Sequence, residues 1–189
     1  MVALIIILVV VVLLIVYVIA SYNSLVKRRN RVDNSWSQID VQLKRRYDLI
    51  PNLVETVKGY AGHERGTLEA VVQARNAAIA AQSGGVAAQA AAENVLTGAL
   101  RQLFALSEAY PDLKASQNFQ QLQAQLSDIE NKIAAARRFF NNAVQEYNTG
   151  IQQFPAVLLA GALGFATKDF FDVGVEERKV LDQAPQVKF

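Results

Sequence analysis

His63-Glu64 places the only histidine of the chain beside a carboxylate. A zinc peptidase of that type needs a second histidine four residues on, on the same helical face, with the Glu as base. Position 67 is Thr, so a His-based metal site is not expected, and His63 reads as a residue at a helix bend. Carboxylates recur at helical spacings: Asp33, Asp40 and Asp48; Glu64 and Glu69; Asp128 and Glu130. Paired acids do general acid–base work when a pocket holds them. Nothing in the pattern locates a pocket, and Arg45, Arg46, Arg137 and Arg138 stand near enough to pair with these acids. Walker A, dinucleotide-binding, nucleophile-elbow and Glu-x-x-His patterns are absent. Gly161-Ala162-Leu163-Gly164 lacks the strand-to-helix context of a phosphate loop. With no cysteine, the chain has no disulfides, thiolate nucleophile or Cys-ligated metal. No cofactor is expected, and the chain reads as a non-enzyme.

Two arginines are more telling. Arg29 and Arg46 fall on an otherwise apolar helical seam. A buried charge without a partner is costly, so each needs a counter-group or an escape to water. Glu108, Asn141, Glu146 and Asn148 are the candidate partners. The expected role is a polar layer of Arg29, Arg46, Glu108, Asn141 and Asn148 that sets the register between helices, in preference to an active site.

The elements that must position these residues are helices. From Tyr22, steps of three and four residues pass through Leu25, Arg29, Val32, Trp36, Ile39, Leu43, Arg46, Ile50, Leu53, Val57 and Tyr60. Pro51 sits inside this pattern and should kink it. Gly59 and Gly62 weaken it before His63. Glu64 to Gln82 is Ala-rich and helical by propensity. Ser83-Gly84-Gly85 is the clearest reversal signal. A further helix carries Leu96, Ala99, Leu103, Leu106 and Tyr110 and stops at Pro111. Asp112 to Gln117 reads as a connection or a short helical turn. The last long helix has the cleanest periodicity, from Phe119 through Leu126, Ile133, Phe140 and Tyr147 to Phe154. Long helices with short connections favour an antiparallel bundle. The predicted fold is all-α: an N-terminal transmembrane helix continuing into an elongated antiparallel helical bundle.

The membrane expectation rests on uneven composition. The chain is 52% hydrophobic and 19% charged over 189 residues, yet Val2 to Ala20 holds no charge at all. As a helix that run measures about 28 Å, close to the hydrocarbon thickness of a bilayer. It lacks a basic lead-in and exceeds a usual signal-peptide core, so an uncleaved anchor is preferred to a leader. Lys27, Arg28, Arg29 and Arg31 follow it. They place the following bundle in the cytoplasm and the N-terminus outside, and provide contacts for anionic head groups. The net charge of +2 gives no ground for nucleic-acid binding. The expected divisions are residues 1–20 as anchor, 21–154 as bundle and 155–189 as a short helix and extended tail. Val157, Leu158, Leu163, Phe165, Phe170 and Phe171 are the candidate contacts between copies. An interfacial membrane segment is the other reading of 156–166.

The residues also resemble a known family. Tyr22-Asn23-Ser24-Leu25-Val26, Arg29-Asn30-Arg31-Val32, the stretch Trp36 to Val54 with its Tyr47-Asp48-Leu49-Ile50-Pro51-Asn52-Leu53, and Val57-Lys58-Gly59-Tyr60-Ala61-Gly62-His63-Glu64 are similar to the LemA family. So are Glu93-Asn94-Val95-Leu96, Glu108-Ala109-Tyr110-Pro111-Asp112-Leu113-Lys114, Ala136-Arg137-Arg138-Phe139-Phe140-Asn141, Tyr147-Asn148-Thr149, Gly164-Phe165 and the final Pro185 to Phe189. The resemblance implies one N-terminal transmembrane helix and a helical bundle. It supplies no catalytic residues. Some members are associated with internal membrane formation in magnetotactic bacteria, which implies a membrane-organising role by analogy. The leading expectation is a membrane scaffold whose partners are the bilayer and further copies of itself. A membrane-tethered adaptor for a partner protein is the alternative.

Overall fold

The computed structural model of the chain describes residues 1–171, and within them it is helical with no strand. α1 runs from Val2 to Tyr60, so the apolar run and the first seam are one continuous helix. α2 (Arg65–Ala81) and α3 (Val86–Leu106) follow, joined by a short 3-10 turn. After a second such turn come α4 (Pro111–Ala115), α5 (Gln117–Gln152) and α6 (Val157–Ala160). The connection after Pro111 is therefore a one-turn helix, and the apolar segment beyond Pro155 holds a four-residue helix followed by turns. The extended tail expected over Val173–Phe189 lies outside the described residues.

Helix propensity alone would not choose α1, whose first third is rich in β-branched residues. In lipid, a helix is the conformation that satisfies every backbone group within the segment. α1 is the one described helix long and apolar enough to cross a membrane, and none of its apolar window is buried inside the protein.

The chain forms two compact units. The first joins residues 1–38 to residues 138–168. Its core is Leu25 and Val32 of α1 with Phe140, Ala143, Val144, Tyr147 and Ile151 of α5, closed by Ala160 and Phe165. Trp36 packs on Phe140 with ring centroids 5.3 Å apart. Arg31 Nη1 meets Glu146 at 2.7 Å, and the Arg28 side chain lies over Gly150. Lower numbers on α1 thus meet higher numbers on α5, and the two helices are antiparallel. Gly150 leaves room for that approach: a Cβ there would stand 3.1 Å from Arg28 Cδ, and the arginine side chain would have to shift to admit it.

The second unit takes residues 39–137 and begins again at 169. α1 contributes Ile39, Leu43, Ile50, Leu53 and Val57 to its core. Leu68, Val71 and Ala78 come from α2, Leu96, Leu100 and Leu103 from α3, and Phe119, Leu126 and Ile133 from α5. Two reversals build it. One is the 82–85 turn, where Gly85 has φ +88° and so favours a residue without a Cβ. The other, between Ala61 and Glu64, is sharper than the sequence suggested. It folds α2 back along α1 so that Arg75 reaches Tyr47.

That contact explains how Pro51 is accommodated. Proline has no N–H, so the carbonyl one turn earlier, on Tyr47, has no helical donor. Arg75 Nε donates to Tyr47 O at 2.8 Å in its place.

Candidate functional site

The most concentrated chemistry lies inside the second unit. Arg46 is buried, and its two terminal nitrogens are held by two carboxylates. Nη2 pairs with Glu93 of α3, whose side chain is fully buried. Nη1 donates to Glu130 Oε2 of α5 at 2.6 Å and to Thr97 Oγ1 at 3.1 Å. Tyr47 Oη donates to the other Glu93 oxygen. Gln89 Nε2 reaches Glu93 Oε1 at 2.6 Å, Tyr47 Oη at 2.9 Å and the Ala78 carbonyl at 3.2 Å. α1, α2, α3 and α5 therefore meet through one set of polar bonds.

Burial opposes ionisation of Tyr47, and the hydrogen bond to Glu93 with its negative charge pushes in the same direction. Its phenol is held far above the ordinary tyrosine range, and it stays a donor to Glu93. Both Glu93 oxygens are occupied. That is poor geometry for a general base, which needs a lone pair within reach of a substrate proton. Arg46, Thr97 and Glu130 line an open cleft of about 490 Å³ between α3 and α5, with Leu100, Phe104 and Leu126 also lining it. Glu93 and Tyr47 do not line it. Among the described residues no group of three or more His, Asp or Glu side chains is gathered as metal ligands.

The remaining residues singled out from sequence fall elsewhere. Glu108 is exposed and pairs with Lys114 at 2.5 Å, so it partners neither Arg29 nor Arg46. Arg29 lies in the other unit, with its guanidinium 5.4 Å from the Phe165 ring centre. Asn148 is also there and holds the Lys168 backbone by two bonds of 2.9 Å. Asn141 is half-buried. Arg28 donates to the Glu146 carbonyl at 2.7 Å and Arg31 to the Glu146 carboxylate. Two of the four basic residues after the span thus also fasten α5, while Lys27 is exposed. Phe165 and Phe171 are buried within the chain, Phe171 beneath the Arg137 guanidinium. Val157, Leu158, Leu163 and Phe170 remain exposed. His63 is exposed in the first reversal, and Glu64 accepts a hydrogen bond from Tyr110 Oη at 2.9 Å.

Sequence reasoning picked out Arg46 and missed Glu93, Gln89 and Tyr47 as its company. A signal was present. Continued backwards from Leu96, the three- and four-residue steps of that seam land on Glu93 and Gln89.

These features define an all-helical protein with one apolar N-terminal helix of membrane-crossing length and a buried ion pair between its helices. The chain belongs to the LemA family, whose model matches residues 35–189. It is similar to the magnetosome protein MamQ of Magnetospirillum gryphiswaldense, at 24% identity over 178 aligned residues. It is also similar to the magnetosome protein MamQ 2 of Paramagnetospirillum magneticum, at 25%. Each of those matches covers 82% of this chain and 65% of the relative's length. Protein LemA of Metamycoplasma hominis is 28% identical over 162 residues, covering 85% of this chain and 73% of that protein.

Proposed function

We propose that the protein is a non-enzymatic, membrane-anchored scaffold that self-associates through its helical body to organise or shape the membrane. The observation that carries its non-enzymatic part is the buried Arg46–Glu93 pair. The most concentrated ionisable chemistry of the second unit is consumed in bonds between its own helices, which is how a register device is built. Self-association draws support from the surface. α2 and α3 leave Val72, Ile79 and Val95 exposed beside exposed alanines such as Ala77 and Ala91. Apolar surface of that kind favours contact with a neighbour. Similarity to proteins named for the magnetosome agrees with a membrane-organising role. Span first, basic cluster second, the chain is oriented with its helical body in the cytoplasm.

The test is the native mass of the intact chain in mild detergent and in nanodiscs. Several copies per particle are expected, with Val95→Glu shifting the distribution to smaller species. A monomer at every concentration overturns the reading.

A second reading, a tethered adaptor, has one observation in its favour. A groove of about 760 Å³ lies between the end of α1 and α2, lined by Val54, Leu68 and Val72 with Glu55, Lys58, Arg65 and Glu69 around it. Crosslinking in cells with mass spectrometry separates a specific foreign partner from further copies of the chain.

A further inference from the structure

From Phe154 to Ala166 the chain has no polar side chain. Ala160 and Phe165 face inward, and Phe165 stacks edge-on against Tyr22 with ring centroids 5.7 Å apart. The other side is apolar too. Phe154 is 80% exposed and Leu158 70%, with Val157 and Leu163 also open. A segment that is apolar on both sides is not explained by packing against α1 alone.

Its position names what covers it. Trp36 faces Phe140, Arg31 meets Glu146 and Arg28 lies over Gly150. This antiparallel register brings the end of α5 at Gln152 about level with Leu25, with the chain heading toward the end of the apolar run of α1. Phe165, against Tyr22 and beneath the Arg29 guanidinium, places the far end of the segment beside the first turns after the apolar run. Tyr17 and Tyr22 stand where an aromatic belt marks the membrane interface, and Lys27 to Arg31 stand where phosphates lie.

We infer that residues 154–163 are a second membrane contact, seated in the interface of the leaflet from which α1 emerges, with Phe154, Val157, Leu158 and Leu163 among the lipids. The segment is too short to cross a bilayer. Its turns bond internally, Leu163 N to Leu159 O and Phe165 N to Ala160 O, which suits interfacial depth. α1 and this segment grip the membrane at two points and prevent the first unit from rotating about the span. The inference rests on α1 being a membrane anchor.

The chain has no cysteine, so single cysteines report cleanly. Leu13→Cys, Leu158→Cys, Val157→Cys and Asn142→Cys are each labelled with an environment-sensitive fluorophore in the full chain. They are then reconstituted into vesicles containing nitroxide-labelled phospholipid. Positions 157 and 158 should be quenched severalfold more than 142 and approach the quenching at 13. Quenching at 157 and 158 equal to that at 142, with 13 quenched, overturns the inference and leaves the anchor intact. No quenching at 13 overturns the anchor and the inference with it. A shielded, unquenched 158 that crosslinks to 158 of a second copy assigns the patch to self-association instead.

Discussion

Arg75 Nε donates to the Tyr47 carbonyl, the backbone group that Pro51 deprives of its helical partner. A side chain from the returning helix thus completes the backbone of the helix it packs against. The proline and the arginine act as a pair although they sit on different helices.

Arg75→Ala should therefore destabilise the protein by about 1 kcal/mol, at the lower end of the effect of leaving a backbone acceptor unmet, because the bond is only partly buried. In a Pro51→Ala background position 51 regains its N–H, and the same substitution should cost clearly less. A double-mutant cycle read by chemical denaturation measures the coupling. Additive effects would show that Arg75 does not serve the proline gap.

The Arg46–Glu93 pair makes a contrasting prediction. Arg46→Ala strands the buried Glu93 carboxylate and should cost about 3–5 kcal/mol, whereas Glu93→Ala leaves Arg46 paired with Glu130 and should cost less. Replacing both with apolar residues, Arg46→Met with Glu93→Leu, should recover only part of the Arg46→Ala loss, because Tyr47 Oη and Gln89 Nε2 lose the acceptor they share on Glu93. A wild-type-like cooperative unfolding transition in the double variant would show that the pair does not specify the register between these helices.

Alkaline pH should loosen the fold. Tyr47 ionises near pH 10 in the unfolded chain and far higher in the folded one, because burial and Glu93 both oppose the phenolate. The stability this contributes is complete below about pH 10 and declines as pH rises beyond it. Tyr147, raised mainly by burial, and Tyr110, raised mainly by its bond to Glu64, act in the same sense. Denaturation midpoints from about pH 9 to 11 should fall, and Tyr47→Phe should lower the starting value while flattening the slope. An unchanged slope in that variant would remove Tyr47 from the account.

Gly150→Val should disturb the first unit by about 1–3 kcal/mol through overpacking against Arg28, despite valine's better helix propensity than glycine. Arg28→Ala in the same chain should relieve part of that cost. Thermal unfolding of the two single variants and the double one decides the matter.

Much of the fold was legible because helix seams are local patterns. The seam through Leu25, Val32, Ile39, Leu43, Ile50, Leu53 and Val57 is buried as its spacing implied, and so are Phe119, Leu126, Ile133, Phe140 and Tyr147 of the α5 seam, whereas Phe154, the last residue of that pattern, lies exposed beyond the end of α5. Arg46 was legible as an intruder on such a seam. Glu130 stood among the acids offered to the arginines and does pair with Arg46, but Glu93, 47 residues away, was not among them, since pairing across helices leaves no local trace. Polarity also hid Glu93: a seam traced by apolar residues stops at Leu96 and passes over the two polar members before it. Glu108 illustrates the converse error, a carboxylate at plausible helical spacing that finds Lys114 nearby. The reversal at 61–64 was underread because Gly59 and Gly62 mark a weak point without stating how far the chain turns.

Order of synthesis gives the long first helix a further meaning. Arg46 is made 47 residues before Glu93 and 84 before Glu130. At about 5–20 residues per second, the wait for Glu93 alone is roughly 2–10 s. Through that interval a charged side chain stands on an apolar stripe without its counter-ion, on a helix whose leading end is already the most lipid-seeking part of the chain. Until α3 is made, the most costly charge of the later core is therefore held in water, and the core of the second unit cannot close around α1 before Glu93 arrives.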